Sequence, residues 1–513
     1  VSRFASALLF AVVLPLGAQA HPAALDHLDN VSRLQLDNDQ VQREIEKVSL
    51  QSNRYAVAQD LQITDQAGSW EERADGSALW RLRVASTGAA SLSLHLSGVH
   101  LPADAELWLY TADGNDMQGP YTAADGDSIW TAIARGEEVV LEASMPAAAR
   151  EQFQLTVAQA FHGYRALDNG LYQPKGYFGS AGACTIDTAC SDGDNWRQEI
   201  RSTVLVTIAN TTLCSGTLVN NTAQDDRALI LTANHCGITS SNVTQTKAYF
   251  NVQKASCGGS SSGSVSQNIA GKTLLAATAS GNNTDYSLFE LASKPPSSYN
   301  AYYSGWDISG AVPTSGVGIS HPAGDDKKIS TFSSPASLYG SICIGTLGVG
   351  NVCVGFTIKA LAINWSRGAT QGGSSGSGLW NENHRIVGTL SGGTSGCASS
   401  NSSQTNGGTD MYARLDMAWA ATSVTGNTLK SVLDPLSSSC SGIDGKTPGS
   451  SDVATCASGS GSSSGGSSSS SGSSGSSSGA GSSDASGGGG SWGFGLLPLA
   501  LLALCTIPRR HLR

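Results

Sequence analysis

Two short segments of this chain carry residues that can do chemistry together. Gly372-Gly373-Ser374-Ser375-Gly376-Ser377-Gly378 sets serines in a glycine-tight turn between the apolar segments IKALAINW and LW…RIVGTLSGG, which read as strands. Roughly 140 residues earlier stands Leu231-Thr232-Ala233-Asn234-His235-Cys236. A serine nucleophile, an imidazole base and glycines that free the backbone are the ingredients of acyl transfer. The core string G-S-S-G-S is not diagnostic alone. It recurs at Gly472 to Ser476, in a tail of little but serine and glycine where such strings arise by chance.

Acyl transfer to a serine needs a base for the hydroxyl proton, a carboxylate that holds the base in the right tautomer, and donors for the oxyanion. His235 is the leading base. A lone histidine is more often a surface or structural residue, but this one follows the strand-like run ALILTAN, and Cys236 can pin its loop to Cys214 in TLCSGTLVNN. His321 in SHPAGDDKK is the rival, without a comparable constraint. Asp285, in NTDYSLFEL, is the best-placed carboxylate. At the entry to an apolar strand it can be buried and kept ionised by backbone N–H groups. Such an Asp ordinarily caps a turn; the chain order His, Asp, Ser and the strand behind it favour the catalytic role. Asp307 in SGWD is the second choice. Ser375 is the expected nucleophile, since Gly373 and Gly376 let the backbone bend around it. The amides of Gly373 and Ser375 can then converge as an oxyanion hole. On composition alone Ser374 and Ser377 remain alternatives. Together these features point to a serine peptidase.

The elements that must position these residues are mostly strands. Across 513 residues glycine is abundant, at 61, and helical periodicity is weak, so an all-β chain of two or three domains is expected. From Cys184 to about Gly445 the runs TVLVTI, ALILTA and YSLFEL alternate with glycine turns, which fits a pair of β-barrels or a large sandwich. Before that region, ALWRLRVAS, SLSLHLSGV, AELWLYTA, EVVLEASM and QFQLTVAQAF follow a polar, helix-like stretch at Leu34 to Val48. They read as a β-sandwich within residues 21–175 that lacks cysteine and any catalytic cluster. A sandwich in that place is most often a propeptide that assists folding and blocks the site. A retained carbohydrate- or surface-binding module is the other reading.

The formal charge of −10 argues against nucleic acid as the main partner. Arg3, the apolar run Ala7 to Leu16 and Ala18-Gln19-Ala20 read as an export signal over residues 1–20. Export fits the cysteines: ten of eleven precede the hydrophobic C-terminal segment, an even number suited to disulfides in an oxidising compartment. There is no C-x-x-C pair, histidine-rich cluster or acidic loop with calcium-ligand spacing, so no metal or cofactor is expected. Residues 446–490 read as a Ser/Gly-rich linker. In 491–513, apolar Trp492 to Ile507 is followed by Arg509, Arg510 and Arg513. This end resembles the GlyGly-type C-terminal sorting signal of Gram-negative bacteria. That resemblance implies export by the secretion machinery, then cleavage by a rhomboid-like membrane protease with transfer to the cell surface or release. A permanent anchor is the alternative.

The order His, Asp, Ser and the stretches LTANHCG, TDYSLFEL, GWD, HPAGDDKKIS, NW, GSSGS, LSGG and DMYARL resemble the lysyl endopeptidase branch of the chymotrypsin-like serine peptidases, from about Cys184 to Gly445 of an expected peptidase domain over residues 176–445. The resemblance implies a double β-barrel with the site between the barrels and the triad His235, Asp285 and Ser375. It also implies the bridges Cys184–Cys397, Cys190–Cys257 and Cys214–Cys236, after which Cys343–Cys353 and Cys440–Cys456 pair by elimination. Asp410, in GTDMYAR, aligns with the acidic residue that recognises a basic P1 side chain in that family. Its slot would be walled by Ser391, Gly392 and Gly393, which would also pair with an extended substrate strand. The ordinary alternative for Asp410 is a surface ion pair with Arg414. Lysine-selective relatives carry His where this chain has Ser391, so a positive P1 residue is expected while the choice between Lys and Arg stays open. The expected activity is hydrolysis of polypeptides after basic residues, by an exported enzyme held as a zymogen by its own N-terminal domain. The alternatives are another P1 preference, an inactive protease-like surface adhesin, and a surface-attached protein whose function lies in the sandwich. Lys175-Gly176, beyond the sandwich, is the bond such an enzyme would cut to release its N-terminal domain.

Overall fold

The computed structural model describes residues 28–48, 54–164, 181–347, 352–399, 402–450 and 456–457. The export signal, the Lys175-Gly176 bond, most of the Ser/Gly tract and the apolar C-terminal segment lie outside these residues. Both folded regions belong to one compact unit, Val1–Ser460.

Residues 28–164 build a two-sheet sandwich, with a short helix, Asn38–Val48, after its first strand, Arg33–Gln35. The strand Ser77–Ala85 shows why the sequence alternates: Ala78, Trp80, Leu82 and Val84 enter the core, while Arg81 and Arg83 point the other way to Glu71 (2.9 Å) and Glu138 (2.6 Å). It pairs with Glu138–Pro146, which pairs in turn with Glu106–Thr111. In the facing sheet, Gln154–Gly163 lies between Ala56–Thr64 and Ser91–His100. Leu92, Leu94 and Leu96 complete the core from that side, each such side chain stabilising the fold by about 1.5–3 kcal/mol.

In the second region β1 (Thr203–Ile208), β2 (Thr212–Val219), β3 (Leu229–Thr232), β4 (Thr246–Tyr249), β5 (Asn268–Ala277) and β6 (Ser287–Leu291) close a barrel in the order β1-β2-β3-β6-β5-β4. Val204, Val206 and Ile208 point into it beside Phe289 and Leu291. The residues between them do not reach water either. Leu205 joins Leu213 and Tyr249 in one cluster with Tyr55, Ile133 and Phe161 of the sandwich. Burial on both faces is why TVLVTI is apolar with so little alternation.

Strands β7 (Gly316–Ser320), β8 (Lys328–Phe332), β9 (Ser337–Leu347), β10 (Cys353–Asn364), β11 (Gly378–Asn381), β12 (Arg385–Gly393) and β13 (Thr409–Arg414) follow. They run β8-β7-β11-β12-β13-β10, with β9 as the hairpin partner of β10. Thr331 in β8 and Arg367, just past β10, complete the ring through paired N···O contacts of 2.9 and 3.2 Å. The second barrel thus closes through a single bridge. The chain is mostly β, a chymotrypsin-like double barrel behind a β-rich domain.

Five disulfides join Cys184–Cys397, Cys190–Cys257, Cys214–Cys236, Cys343–Cys353 and Cys440–Cys456. The last corrects the boundary expected at Gly445, because the fold runs on into residues that composition assigns to a linker. Lys446 pairs with Tyr303 through both backbone groups (2.8 and 2.9 Å), and its ammonium meets Asp226 at 2.9 Å. Gly442–Ile443 then pairs with Cys456–Ala457. Backbone pairing and a disulfide hold this segment, so its polar composition concealed it. Cys456→Ser opens a bridge between residues 16 apart in sequence and should lower unfolding free energy by about 2–4 kcal/mol in urea titration. Activity at low denaturant should be unchanged.

Candidate active site

His235 ends the segment after β3, in the turn Asn234–Cys236, and the chain leaves through Gly237 at φ +83°. Strand register decides what it faces. Thr232 of β3 lies opposite Ser287 of β6, so the residues just after the one strand and just before the other meet. Asp285 therefore reaches His235 twice. Its Oδ1 accepts the His235 main-chain N–H (2.9 Å), and its Oδ2 lies 2.7 Å from ring Nδ1. A carboxylate there assigns the proton to Nδ1 and leaves Nε2 as an acceptor. Asp285 is 1% exposed, and its carbonyl accepts a hydrogen bond from Thr389 Oγ1 of β12 (3.0 Å). Phe356 of β10 stacks on the imidazole at 5.5 Å between ring centres. A cavity of about 470 Å³ opens beside His235, between residues 278–285 and the segment around Gly355 and Phe356.

The serine turn uses both glycines in conformations disfavoured for other residues, Gly373 at φ +94° and Gly376 at φ +81°. A Cβ on Gly376 would lie 2.1 Å from Thr232 Oγ1 and 2.6 Å from the Ala233 nitrogen, so the turn presses directly on the histidine loop. Ser215 of β2 holds the turn from the first barrel: its amide donates to the Ser375 carbonyl (2.8 Å) and its hydroxyl to the Gly373 carbonyl (2.9 Å). Ser374 and Ser377 are fully buried, whereas Ser375 is half-buried and reaches solvent. Among the described residues, the amides of Gly373 and Ser375 meet no acceptor and are available to an anion. Ser375 Oγ and His235 Nε2 are not hydrogen-bonded; in substrate-free sites this contact is often long and tightens with substrate.

Asp410 of β13 lies between Ile363 of β10 and Gly393 of β12. It is 1% exposed. Oδ2 accepts from Trp365 Nε1 (2.6 Å), Thr370 Oγ1 (2.8 Å) and Ser395 Oγ (2.6 Å), while Oδ1 has no partner. A Cβ at Gly393 would sit 2.1 Å from that free oxygen, so only glycine fits against it. Burial pushes the Asp410 carboxyl up, against the three hydrogen bonds that favour its ionised form. The ion pair weighed for it is absent, since Arg414 binds Asp416 instead (3.0 and 2.5 Å). Ser391 forms a bulge between Leu390 and Gly392, with its hydroxyl buried and unpartnered.

The two rivals lie elsewhere. His321 is wholly buried, with Nδ1 2.9 Å from the Asp325 carbonyl, and burial pushes its pKa down to about 3. Asp307 caps a turn by accepting the Ser309 amide (2.8 Å). Sequence reasoning passed over Ser215, Thr389, Thr370, Ser395 and Phe356, ordinary residues in strands and loops whose roles exist only through contacts. Trp365 left a faint signal, because a buried indole N–H needs an acceptor.

A double barrel with a glycine-bent serine turn against a carboxylate-held histidine defines a serine endopeptidase. Residues 178–413 match the family "Lysyl endopeptidase, C-terminal domain", and residues 24–164 match "Lysyl endopeptidase N-terminal domain". The lysyl endopeptidase of Pseudomonas aeruginosa is 27% identical over 359 residues, covering 64% of this chain and 71% of that protein. The chain belongs to the lysyl endopeptidase family. Solved structures similar to it include the active form of the Rv3671c protease from M. tuberculosis, 12% identical at a TM-score of 0.28 over 48% of this chain and 91% of that one. Glu endopeptidase in complex with MPD is 14% identical at a TM-score of 0.29, over 47% and 94%. The barrel assignment rests on the strand pairing described above.

Gly376→Ala should force the serine turn off Thr232 and Ala233. A displacement on the order of 1 Å costs about 100-fold in turnover, read as kcat on a peptide substrate with unchanged circular dichroism.

Proposed function

We propose that Ser375, His235 and Asp285 carry peptide-bond hydrolysis after basic residues, Lys with Arg also open, and that the enzyme is exported. The double hold of Asp285 on His235 beside a solvent-reaching Ser375 is the observation that carries this reading. Ser375 Oγ attacks the scissile carbonyl as His235 Nε2 takes its proton. The Gly373 and Ser375 amides stabilise the oxyanion, a contribution of about 10²–10³ in rate per donor. The imidazolium then protonates the departing amine, and water releases the acyl group from Ser375 by the same route in reverse. Five disulfides support an oxidising compartment. The export signal and the C-terminal sorting signal at residues 491–513 belong to this proposal as sequence readings.

A fluorophosphonate probe followed by peptide mapping tests the assignment. Label on Ser375 is expected, with none on Ser474 of the duplicate string, and label elsewhere would overturn it. Asp285→Asn should lower kcat by about 10⁴ through the wrong tautomer. Ser375→Ala should also accumulate as an uncut precursor, since Lys175-Gly176 is a bond of the proposed specificity; maturation of that variant without other proteases would end the self-processing idea.

For the basic P1 residue, the free Oδ1 of Asp410 behind Gly393 is the anchor. Because burial raises the Asp410 pKa, the substrate-free fold holds this proton more tightly than the unfolded chain does. Ionised Asp410 therefore opposes folding at neutral pH, and the opposition fades as pH falls through the raised pKa. A bound ammonium favours the carboxylate instead. The kcat/KM ratio of Lys over norleucine at P1 should accordingly decline with falling pH, starting above the ordinary carboxylate value of about 4. A ratio that is flat with pH, or a preference for aromatic P1, would remove Asp410 from the slot.

A further inference from the structure

The sandwich is seated on the first barrel. It covers the outer face of β1, β2 and β4, where Tyr55, Ile133 and Phe161 share an apolar cluster with Leu205, Leu213 and Tyr249. Polar contacts frame this cluster. The Ile133 amide donates to Tyr249 Oη (3.1 Å), Asn210 Nδ2 to the Thr131 carbonyl (3.3 Å), and Arg135 Nη1 to the Gly263 carbonyl (2.9 Å). At one margin the contact becomes strand pairing. Arg54 forms an antiparallel bridge with Thr212, and the Tyr55 amide donates to the Thr211 carbonyl (3.0 Å).

That margin lies on a definite side of the scissile bond, given the reading of Ser375 and Asp410 above, on which this inference rests. The serine turn is held between two strands. On one side Gly376 donates to Leu390 of β12 (2.8 Å) and Leu390 to the Ser377 carbonyl (2.9 Å). On the other side Ser215 of β2 donates to the Ser375 carbonyl. With the acyl half of a substrate along Ser391 to Gly393, its leaving half must cross β2. The Ser215 amide and the Thr211 carbonyl both point to the β2 edge away from β1, so Leu213 between them presents its backbone groups there too. A leaving chain can therefore pair with Leu213. Four residues at about 3.4 Å each separate Ser215 from Thr211, so that chain reaches Arg54 and Tyr55 within roughly four residues of the cut.

We propose that the N-terminal domain blocks polypeptides by occupying the leaving-group side of the cleft at Thr211 and Thr212, while the acylation machinery stays formed. The machinery is assembled with the domain in place. Asp285 already holds His235, and the oxyanion donors are free. The segment after the sandwich is already docked beside the serine turn, with the Ala181 amide on Asp325 (2.9 Å) and the Gly182 amide on Gln371 (2.9 Å). The precursor is then an enzyme selective for substrate length.

The test uses the full chain kept intact by Lys175→Ala, its length checked by mass, beside mature wild type. Two substrates are compared: a blocked lysine ester, and a peptide with six residues after its lysine. The intact chain should cleave the ester with kcat/KM within about threefold of the mature enzyme and the peptide at least about 100-fold more slowly. Ile133→Asp in the intact chain should recover peptide cleavage by about tenfold or more and leave ester hydrolysis unchanged. Loss of both substrates together, loss of neither, or no recovery in Ile133→Asp overturns the proposal. Fluorophosphonate labelling separates the two levels. If the mature enzyme labels Ser375 but the intact chain does not, the docking proposal alone is refuted; if neither labels, the catalytic assignment fails and takes the proposal with it.

Discussion

Asp285 takes both the main-chain N–H and the ring Nδ1 of His235 from a position almost without solvent. A carboxylate withdrawn from water costs several kcal/mol unless hydrogen bonds replace its hydration. Both of its oxygens are committed to one residue, so the imidazole cannot turn without exposing an unsatisfied buried charge. The pairing of β3 with β6 makes this possible. A slip of one residue would turn the Asp285 side chain to the other face. The Cys214–Cys236 bridge ties the histidine segment to β2, and the Thr389 contact ties the Asp285 segment to β12.

The second barrel depends on that arrangement through the serine turn. Ser215 grips the turn from β2, Leu390 grips it from β12, and Gly376 admits the histidine loop only because it lacks a Cβ. The two acidic residues contrast in a useful way. Asp285 has no oxygen left over, which suits a group that orients another. Asp410 has three donors on one oxygen and none on the other, an unfinished shell that the cation of the proposed basic P1 residue would complete. Equal burial thus serves two ends, separated by what remains unpaired.

Much of this was legible in the chain. TVLVTI, ALILTA and YSLFEL fall on β1, β3 and β6, and the five sandwich segments fall on strands. The serine turn was readable because positive-φ glycines leave a pattern in sequence. Other features had none. Ser215 and Thr389 are ordinary strand residues until the fold brings another segment to them. The C-terminal segment at Lys446 and Cys456 looks like linker because backbone pairing and a disulfide hold it where apolar burial would otherwise be needed. The distal part of the β9–β10 hairpin, which brings Phe356 over His235, is glycine-interrupted and mostly exposed, so neither alternation nor burial marked it, whereas IKALAINW beyond it reads as a strand and falls on the buried end of β10.

A barrel strand covered on one face should alternate, yet β1 is buried at every position. Its second face requires another layer, and the sandwich is that layer. Among the described residues, no basic side chain of the layer pairs with Asp410. Arg54 meets Thr211, and Arg135 is held by Asp116 (2.6 Å) and the Gly263 carbonyl. There is a chemical reason for this placement under the proposed specificity. A basic side chain from the domain lying in the slot, beside a formed oxyanion hole and a positioned imidazole, would present its own peptide bond for cleavage. A domain that must restrain such an enzyme and survive contact with it is better placed across the leaving-group strand, where it makes backbone contacts and offers no scissile carbonyl.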